Sequence, residues 1–159
     1  MTRFRCIAMP TETATRFRAT GRDDRGNAVI ARRVEQDGAA PCRHCLHFGR
    51  IGEVMLLGSH DLPRPQGIYW TPSPVFIHAE ACPRFEAVDT IAPTALGPTT
   101  IVSVRAYGAD QMCLYDLGQV CAGPEVAAPL MRALGDRRTH FVNIHTARPG
   151  CWLAGAELS

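Results

Sequence analysis

The chain has 159 residues, of which 46% are hydrophobic and 20% are charged, a composition typical of a folded globular domain and not of a disordered chain. No apolar run approaches the roughly 20 residues of a membrane-spanning helix. The first segment contains arginines but lacks the apolar run of a secretory signal. We therefore expect a single, soluble, cytoplasmic domain that spans residues 1–159.

The basic side chains are all arginines, because the 17 Lys and Arg residues include no Lys. This excludes a lysine Schiff base and a phosphate-binding Walker A loop, both of which need a lysine. The net charge of +2 is too small for a protein that attracts nucleic acid through a strongly basic surface. We expect neither a nucleic acid nor a membrane as a partner, and the sequence does not indicate the oligomeric state.

In the first half of the chain, residues 3–8 alternate Arg with apolar side chains, which predicts a strand. A short helix is predicted over 11–20, after Pro10, and a second strand over 28–34. The segment CRHCLHFG then predicts a helix that begins at Cys42.

The second half opens with a proline-rich segment, 59–74, which predicts a long ordered loop. A helix is predicted over 124–134. Further strands are predicted over 75–79, 99–107, 112–120, 139–147 and 151–158. Because no alternation of strand and long helix is present, the fold class is α+β, with a mainly antiparallel sheet and about three short helices.

The cysteines are seven in number, and without a secretory signal we expect reduced thiols and no disulfide framework. Cys42 and Cys45 form a CxxC pair. At the start of the predicted helix, backbone N–H groups and Arg43 would favour a thiolate, which makes Cys42 a candidate nucleophile. Packing of two inert thiols is the competing interpretation, and CRHC also resembles the CPHC of thiol oxidants, which leaves a redox role open.

A metal site is a further alternative, and zinc is the ion that cysteine and histidine ligands imply. His78 and Cys82 are four residues apart, a spacing that suits a metal pair if the chain turns helical after Ile77. The chain lacks the second CxxC of common zinc modules. The ligands in this alternative are Cys42, Cys45 and Cys82, with Cys151 or His78 as the fourth.

Polar side chains interrupt two of the predicted strands. Ser103, Arg105 and Tyr107 share one face of 99–107 because side chains alternate along a strand, and Asn143 and His145 share one face of 139–147. If these strands are neighbours, the polar groups converge.

The convergence predicts a cradle for a small anionic molecule, because guanidinium groups bind carboxylate and phosphate in a bidentate manner. In this leading hypothesis the ligand contacts come from arginines and a tyrosine, and the catalytic candidates are Cys42 and His78. The ligand-binding residues are Arg43, Arg105, Tyr107 and Arg148. The sequence leaves open whether the domain is an enzyme, a zinc-stabilised interaction module or a thiol redox protein.

Four motifs, PCRHCL, SPVFIHAEAC, VRAY and NIHTARPGC, follow one another over nearly the full chain. In their order and spacing they resemble the bacterial family known as domain of unknown function 1203. Ser73 and His145 stand where that family's motifs carry Gly and Arg. The family name carries no activity. The resemblance implies one domain and highlights Cys42, Arg43, Cys45, His78, Cys82, Arg105, Tyr107 and Cys151.

Overall fold

A computed structural model describes residues 3–159, which form eight strands and two α-helices. The helices are α1 (Thr11–Thr20) and α2 (Ala127–Gly135). The strands are β1 (Phe4–Ile7), β2 (Ile30–Arg33), β3 (Val54–Asp61), β4 (Pro72–His78), β5 (Ile101–Tyr107), β6 (Gln119–Ala122), β7 (Phe141–Thr146) and β8 (Trp152–Leu158).

The strands form two sheets whose named pairings are all antiparallel. A five-stranded sheet has the order β1-β8-β7-β5-β6, and a three-stranded sheet has the order β2-β3-β4. The predicted class, α+β with mainly antiparallel sheet, is therefore confirmed. The predicted third helix is not among the described elements.

The larger hydrophobic core lies between the five-stranded sheet and α2. Val104 on β5 and Ile144 on β7 are fully buried there, because alternate residues of each strand point to the same side. Leu130 and Leu134 of α2 cover them. The opposite face of β5 and β7 is left to the polar side chains identified in the sequence.

A second core lies on the three-stranded sheet. Phe17 of α1 packs there with Met55 of β3 and with Val75 and Ile77 of β4, all at most 1% exposed. Val75 and Ile77 share the buried face of β4, as the strand pattern predicts. His78 therefore lies at the end of β4 on its less buried face.

Contacts around Trp152 join the two sheets. The backbone N–H of Trp152, at the start of β8, donates to Ser73 Oγ of β4 over 2.9 Å. The Trp152 carbonyl accepts a hydrogen bond of 2.7 Å from Nε of Arg43, and its ring belongs to the second core. The chain segment around Cys42 is thus held to both sheets.

Three of the predicted elements differ from the structure. The predicted helix at Cys42 is wrong: residues 41–48 form a turn closed by an isolated pairing of Pro41 with Phe48. The loop predicted over 59–74 is shorter, because β3 and β4 extend into it from both sides. Most of the strand predicted over 112–120 is irregular, and β6 begins only at Gln119. Neither helix combines the length and apolar character needed to cross a membrane.

Candidate metal centre

Four potential metal ligands converge at the edge of the second core. They are Cys42, Cys45, His78 and Cys82, and their ligand atoms all lie within 4.8 Å of one another. Cys42 and Cys45 are buried, and His78 and Cys82 are partly buried. Three thiols and one imidazole form a set of donors that is typical of zinc sites.

A tight turn presents the two cysteines of the CxxC pair. The Leu46 N–H donates to the Cys42 carbonyl, and the Cys42 N–H donates to the His47 carbonyl, each over 3.0 Å. Leu46 completes the turn with a φ of 57°, in the left-handed region that side chains rarely adopt. The turn therefore supplies both thiols of the CxxC pair.

The turn is attached to β4, which carries His78. Cys42 pairs with Phe76 in a parallel bridge, and the Arg43 N–H donates to the Phe76 carbonyl over 3.0 Å. After His78 the chain bends without forming the helix that the spacing to Cys82 suggested. His78 and Cys82 nevertheless meet, because the bend brings Cys82 back towards the turn.

Two distances within the cluster match those of a tetrahedral zinc site. Sγ of Cys42 lies 3.9 Å from Sγ of Cys82, and Sγ of Cys45 lies 3.5 Å from Nδ1 of His78. Tetrahedral zinc with Zn–S of about 2.3 Å and Zn–N of about 2.0–2.1 Å separates two sulfurs by about 3.8 Å and a sulfur from a nitrogen by about 3.5 Å. The residues present thus fit the ion without rearrangement of these two pairs.

Residues around the cluster orient its ligands. Nε2 of His78, the nitrogen that does not face Cys45, lies 3.6 Å from a carboxylate oxygen of Glu53. Arg18 of α1 donates through Nε to the His78 carbonyl over 2.9 Å and through Nη2 to Cys82 Sγ over 3.4 Å. Such outer partners fix the rings and sulfurs of metal sites.

His44 completes this outer layer at Cys82. Its Nδ1 lies 3.3 Å from Cys82 Sγ, and its Nε2 lies 2.9 Å from Oγ1 of Thr11. The Thr11 hydroxyl can donate to Nε2, which leaves the Nδ1 proton for the sulfur. Burial lowers the pKa of His44 and thereby favours this neutral form.

The clustered thiols have unequal pKa values. Hydrogen bonds from Cys45 and Cys82 hold the pKa of Cys42 well below its ordinary value. The same contacts with Cys42 raise the pKa of Cys45 and of Cys82, and a hydrogen bond with Cys42 raises the pKa of His78. The hydrogen bonds within the cluster therefore favour a thiolate that the group shares, and a cation that binds to such a set displaces protons.

Arg43, predicted to bind a ligand, lies inside the protein, where its side chain meets backbone carbonyls. It is 3% exposed, and besides Trp152 it donates through Nη1 to the Pro41 carbonyl over 2.7 Å. Burial lowers the pKa of its guanidinium to about 10. Two of its N–H groups thus donate to backbone carbonyls, and the bond to Trp152 holds the CxxC turn against β8.

Cys151 does not belong to the cluster, although the sequence offered it as a fourth ligand. It lies just before β8, where its N–H donates to Oγ1 of Thr146 over 3.0 Å. His78 takes the fourth place. All seven cysteines are free thiols in the structure, and Cys42 is fully buried and not at a helix start.

The polar face predicted on the other sheet is assembled as the strand pattern suggested. β5 and β7 are neighbours, with Ser103 opposite His145 and Arg105 opposite Asn143. Directly opposed residues point to one side of a sheet. Arg148 is exposed in the turn after β7.

Three residues around the cluster, Arg18, His44 and Glu53, were not predicted from the sequence to be parts of the site. His44 lies inside the CxxC pair and could have been suspected from its position. Arg18 lies in α1, and Glu53 immediately precedes β3. Only the packing of these two elements brings both side chains to the cluster. No local pattern indicates that contact.

Comparison with known proteins gives a family. No curated protein and no solved structure matches the chain. The family described as protein of unknown function (DUF1203) matches residues 39–157. This match covers the CxxC turn, His78, Cys82 and both strands of the polar face, and the chain belongs to the DUF1203 family.

Proposed function

We propose that this protein is a zinc-binding domain in which Cys42, Cys45, His78 and Cys82 hold one structural zinc ion. The observation that carries the proposal is the spacing of the donors. Two independent distances, 3.9 Å between sulfurs and 3.5 Å between sulfur and nitrogen, are those of a tetrahedral site. Packing of inert thiols does not require either distance.

Zinc is favoured over other ions by the donor types. Thiolate and imidazole ligands in tetrahedral arrangement suit zinc, whereas magnesium and calcium take oxygen ligands. Four protein ligands fill a tetrahedral site and leave no open position for a substrate. The proposed ion is therefore structural, and it stabilises the domain without acting on a substrate.

The charge balance around the site is consistent with this role. Three thiolates and one divalent cation carry a net charge of about −1, and the Arg18 guanidinium donates to one of the three sulfurs. Arg18 thus offsets the remaining charge at a partly buried position. The Glu53 carboxylate lies 3.6 Å from Nε2 of His78, the ring nitrogen that does not face Cys45.

The proposed ion would link three segments of the chain. Cys42 and Cys45 come from the turn after Ala40, His78 from the end of β4, and Cys82 from the following bend. The turn also touches β8 through Arg43. Zinc at this point would link the three-stranded sheet, the turn and, indirectly, the five-stranded sheet.

The test is metal analysis of protein purified without chelator from zinc-supplemented culture. We expect about one zinc per chain, and X-ray absorption at the zinc edge should show three sulfur neighbours at about 2.3 Å and one nitrogen at about 2.0–2.1 Å. Cys82→Ser should lose most of the metal. Cys151→Ser is the matched control and should keep it. Folded wild-type protein that contains no metal and takes up none from added zinc would overturn the proposal.

A further inference from the structure

A cavity of about 390 Å³ opens on the polar side of the five-stranded sheet. Its floor is β5, and its walls come from β6 and from the loops that follow β3 and β5. None of the four clustered metal ligands lines it. The inference drawn from it is therefore independent of the zinc proposal.

Arg105 lies on the floor of this cavity and has no acidic partner. Its Nε donates to Ser103 Oγ over 3.3 Å, and within residues 3–159 no carboxylate makes an ion pair with it. Arg138, by contrast, binds both Asp116 and Asp136. A partly buried guanidinium without a counter-charge is costly to desolvate, and an anion that binds there offsets this cost.

The residues that line the cavity include no Asp or Glu. An incoming anion would meet no carboxylate among the described residues of the wall, and the guanidinium of Arg105 lies on the floor. No second arginine lines the cavity, since Arg148 is exposed on the turn after β7. The single guanidinium of Arg105, with the Ser103 hydroxyl beside it, suits one carboxylate better than a phosphate dianion.

Three tyrosine rings form the wall. Tyr69 stands edge-on to Tyr107 at 6.3 Å between ring centroids and edge-on to Tyr115 at 6.1 Å. The hydroxyls of Tyr69 and Tyr115 are hydrogen-bonded to each other. Tyr107 is stacked on Phe141 at 5.0 Å, with an angle of 14° between the rings. The wall is thus built of rings held in place by one another.

The exposed parts of this wall are unusual for a protein surface. Tyr115 is 75% exposed, and Val120 at the cavity's rim is 62% exposed. Aromatic and apolar side chains gathered around a concave surface are typical of ligand sites, since rings offer contact area with little loss of conformational freedom. Their accumulation around an unpaired arginine points to a ligand with both an anionic and a flat apolar part.

We propose that this cavity binds a small aromatic monocarboxylate, whose carboxylate pairs with Arg105 and Ser103 and whose ring packs against Tyr69, Tyr107 and Tyr115. The volume falls within the range of about 300–1,000 Å³ of small-molecule sites. The proposal narrows the anion expected from the sequence to one chemical class. It also moves the ligand away from Cys42, Arg43 and His78, which belong to the other centre.

The direct test is calorimetric and NMR titration of the protein, as purified without chelator, with benzoate. Benzamide serves as the neutral analogue of the same shape, and inorganic phosphate serves as the anion without a ring. We expect benzoate to bind at least about tenfold more tightly than benzamide, as the loss of a charge-assisted hydrogen bond implies. Amide signals of β5 and of the 108–118 loop should shift.

Variants locate the site. Arg105→Gln should weaken benzoate binding by about tenfold or more, whereas Arg137→Gln, at an exposed position, should leave it unchanged. Tyr115→Ala changes a side chain that is mostly outside the fold, so it tests the wall even if the Arg105 variant does not fold. We expect it to weaken benzoate several-fold.

Any of four results would overturn the proposal. The first two are equal affinity for benzoate and benzamide, and no binding of benzoate at millimolar concentration. The other two are benzoate affinity that is unchanged in Tyr115→Ala, and benzoate-induced signal shifts that lie only outside the cavity. Zinc content is measured on the same samples, so that failure of this site is distinguished from failure of the metal centre.

Discussion

Arg18 reaches the candidate metal centre from α1, an element that supplies none of the four clustered residues. Its guanidinium donates to the His78 carbonyl and to Cys82 Sγ. Outer partners of this kind typically change metal affinity by about 10–100-fold when they are removed. We therefore expect Arg18→Met to weaken zinc binding by about tenfold, measured by competition with a chromogenic chelator.

The control for this prediction is Arg32→Met. Arg32 lies on β2 and is exposed, so its loss removes the same charge from the molecule without touching the cluster. Equal zinc affinity in the two variants would show that Arg18 does not support the ligands.

His145 carries a second prediction at the residue scale, which concerns pH. It is 3% exposed, and its Nδ1 donates to the Gly150 carbonyl over 2.9 Å. Burial, with help from the charge of Arg105, lowers the pKa of its imidazole to about 4. Because the unfolded chain binds this proton at about pH 6.5 and the folded chain only near pH 4, stability falls as the pH falls through that window.

The expected loss from this one group is about 2 kcal/mol between pH 7 and pH 5. Urea unfolding of the wild type and of His145→Asn at both pH values measures it, since the amide can still donate to Gly150 and does not titrate. Acid also protonates the metal ligands, but that effect is common to both proteins and cancels in the difference. The same pH dependence in both proteins would refute the assignment to His145.

The sequence predicted the candidate residues of the metal site, but it left open which four of them lie together. Cys42, Cys45, Cys82 and His78 all stood among the candidates for a metal site. The choice between His78 and Cys151 depends on which strand end meets the CxxC turn. That choice is made by the pairing of Cys42 with Phe76, a contact between segments more than thirty residues apart in the sequence.

At the scale of elements, the strands were easier to predict than the CxxC segment. The sequence pattern marked β5, β7 and β8 close to their observed bounds. Burial alternates along β5, whereas five consecutive residues of β7 and of β8 are buried. The segment after Pro41 was predicted as a helix but folds as a turn. Of its eight residues CRHCLHFG, only Arg and Leu favour a helix strongly, and the left-handed conformation of Leu46, whose side chain is fully buried, ends any helix there.

The elements that hold the metal ligands give a third prediction. Ile77 of β4 and Ile144 of β7 are both fully buried, one in each core. Replacement of either by Ala should cost about 2–5 kcal/mol of the free energy of unfolding. Only Ile77→Ala should also weaken zinc binding, because β4 carries His78 and the Phe76 carbonyl that holds the turn.

Denaturant unfolding of the zinc-loaded variants, paired with chelator competition at a pH where both are folded, separates the two effects. Ile144→Ala is the matched control, with the same change in side chain in the other core. A similar loss of zinc affinity in both variants would mean that general destabilisation, and not the position of β4, governs the metal.

For the whole molecule, the arrangement of the two sheets was beyond the sequence. The strand patterns show that each sheet has a buried face, but not that strands β2 to β4 separate from the other five. The connection depends on single contacts: Arg43 donates to the Trp152 carbonyl, and the Trp152 N–H donates to Ser73 Oγ over 2.9 Å. These contacts join residues 109 and 79 positions apart and leave no periodic signal.

This connection predicts that metal removal is felt beyond the metal centre. Without the ion the turn at 41–48 loses its attachment to His78 and Cys82, and Arg43 is then less firmly held against the Trp152 carbonyl. We expect amide hydrogen exchange in chelator-treated protein to rise in that turn, in β4 and at the start of β8. β5 and β7, which pack against α2 in the larger core, should keep most of their protection because their burial does not involve the turn.

Untreated Cys82→Ser should reproduce this pattern, which controls for effects of the chelator itself. Exchange that rises only within residues 41–48 would show that the turn opens alone and that Arg43 does not couple the metal centre to the five-stranded sheet.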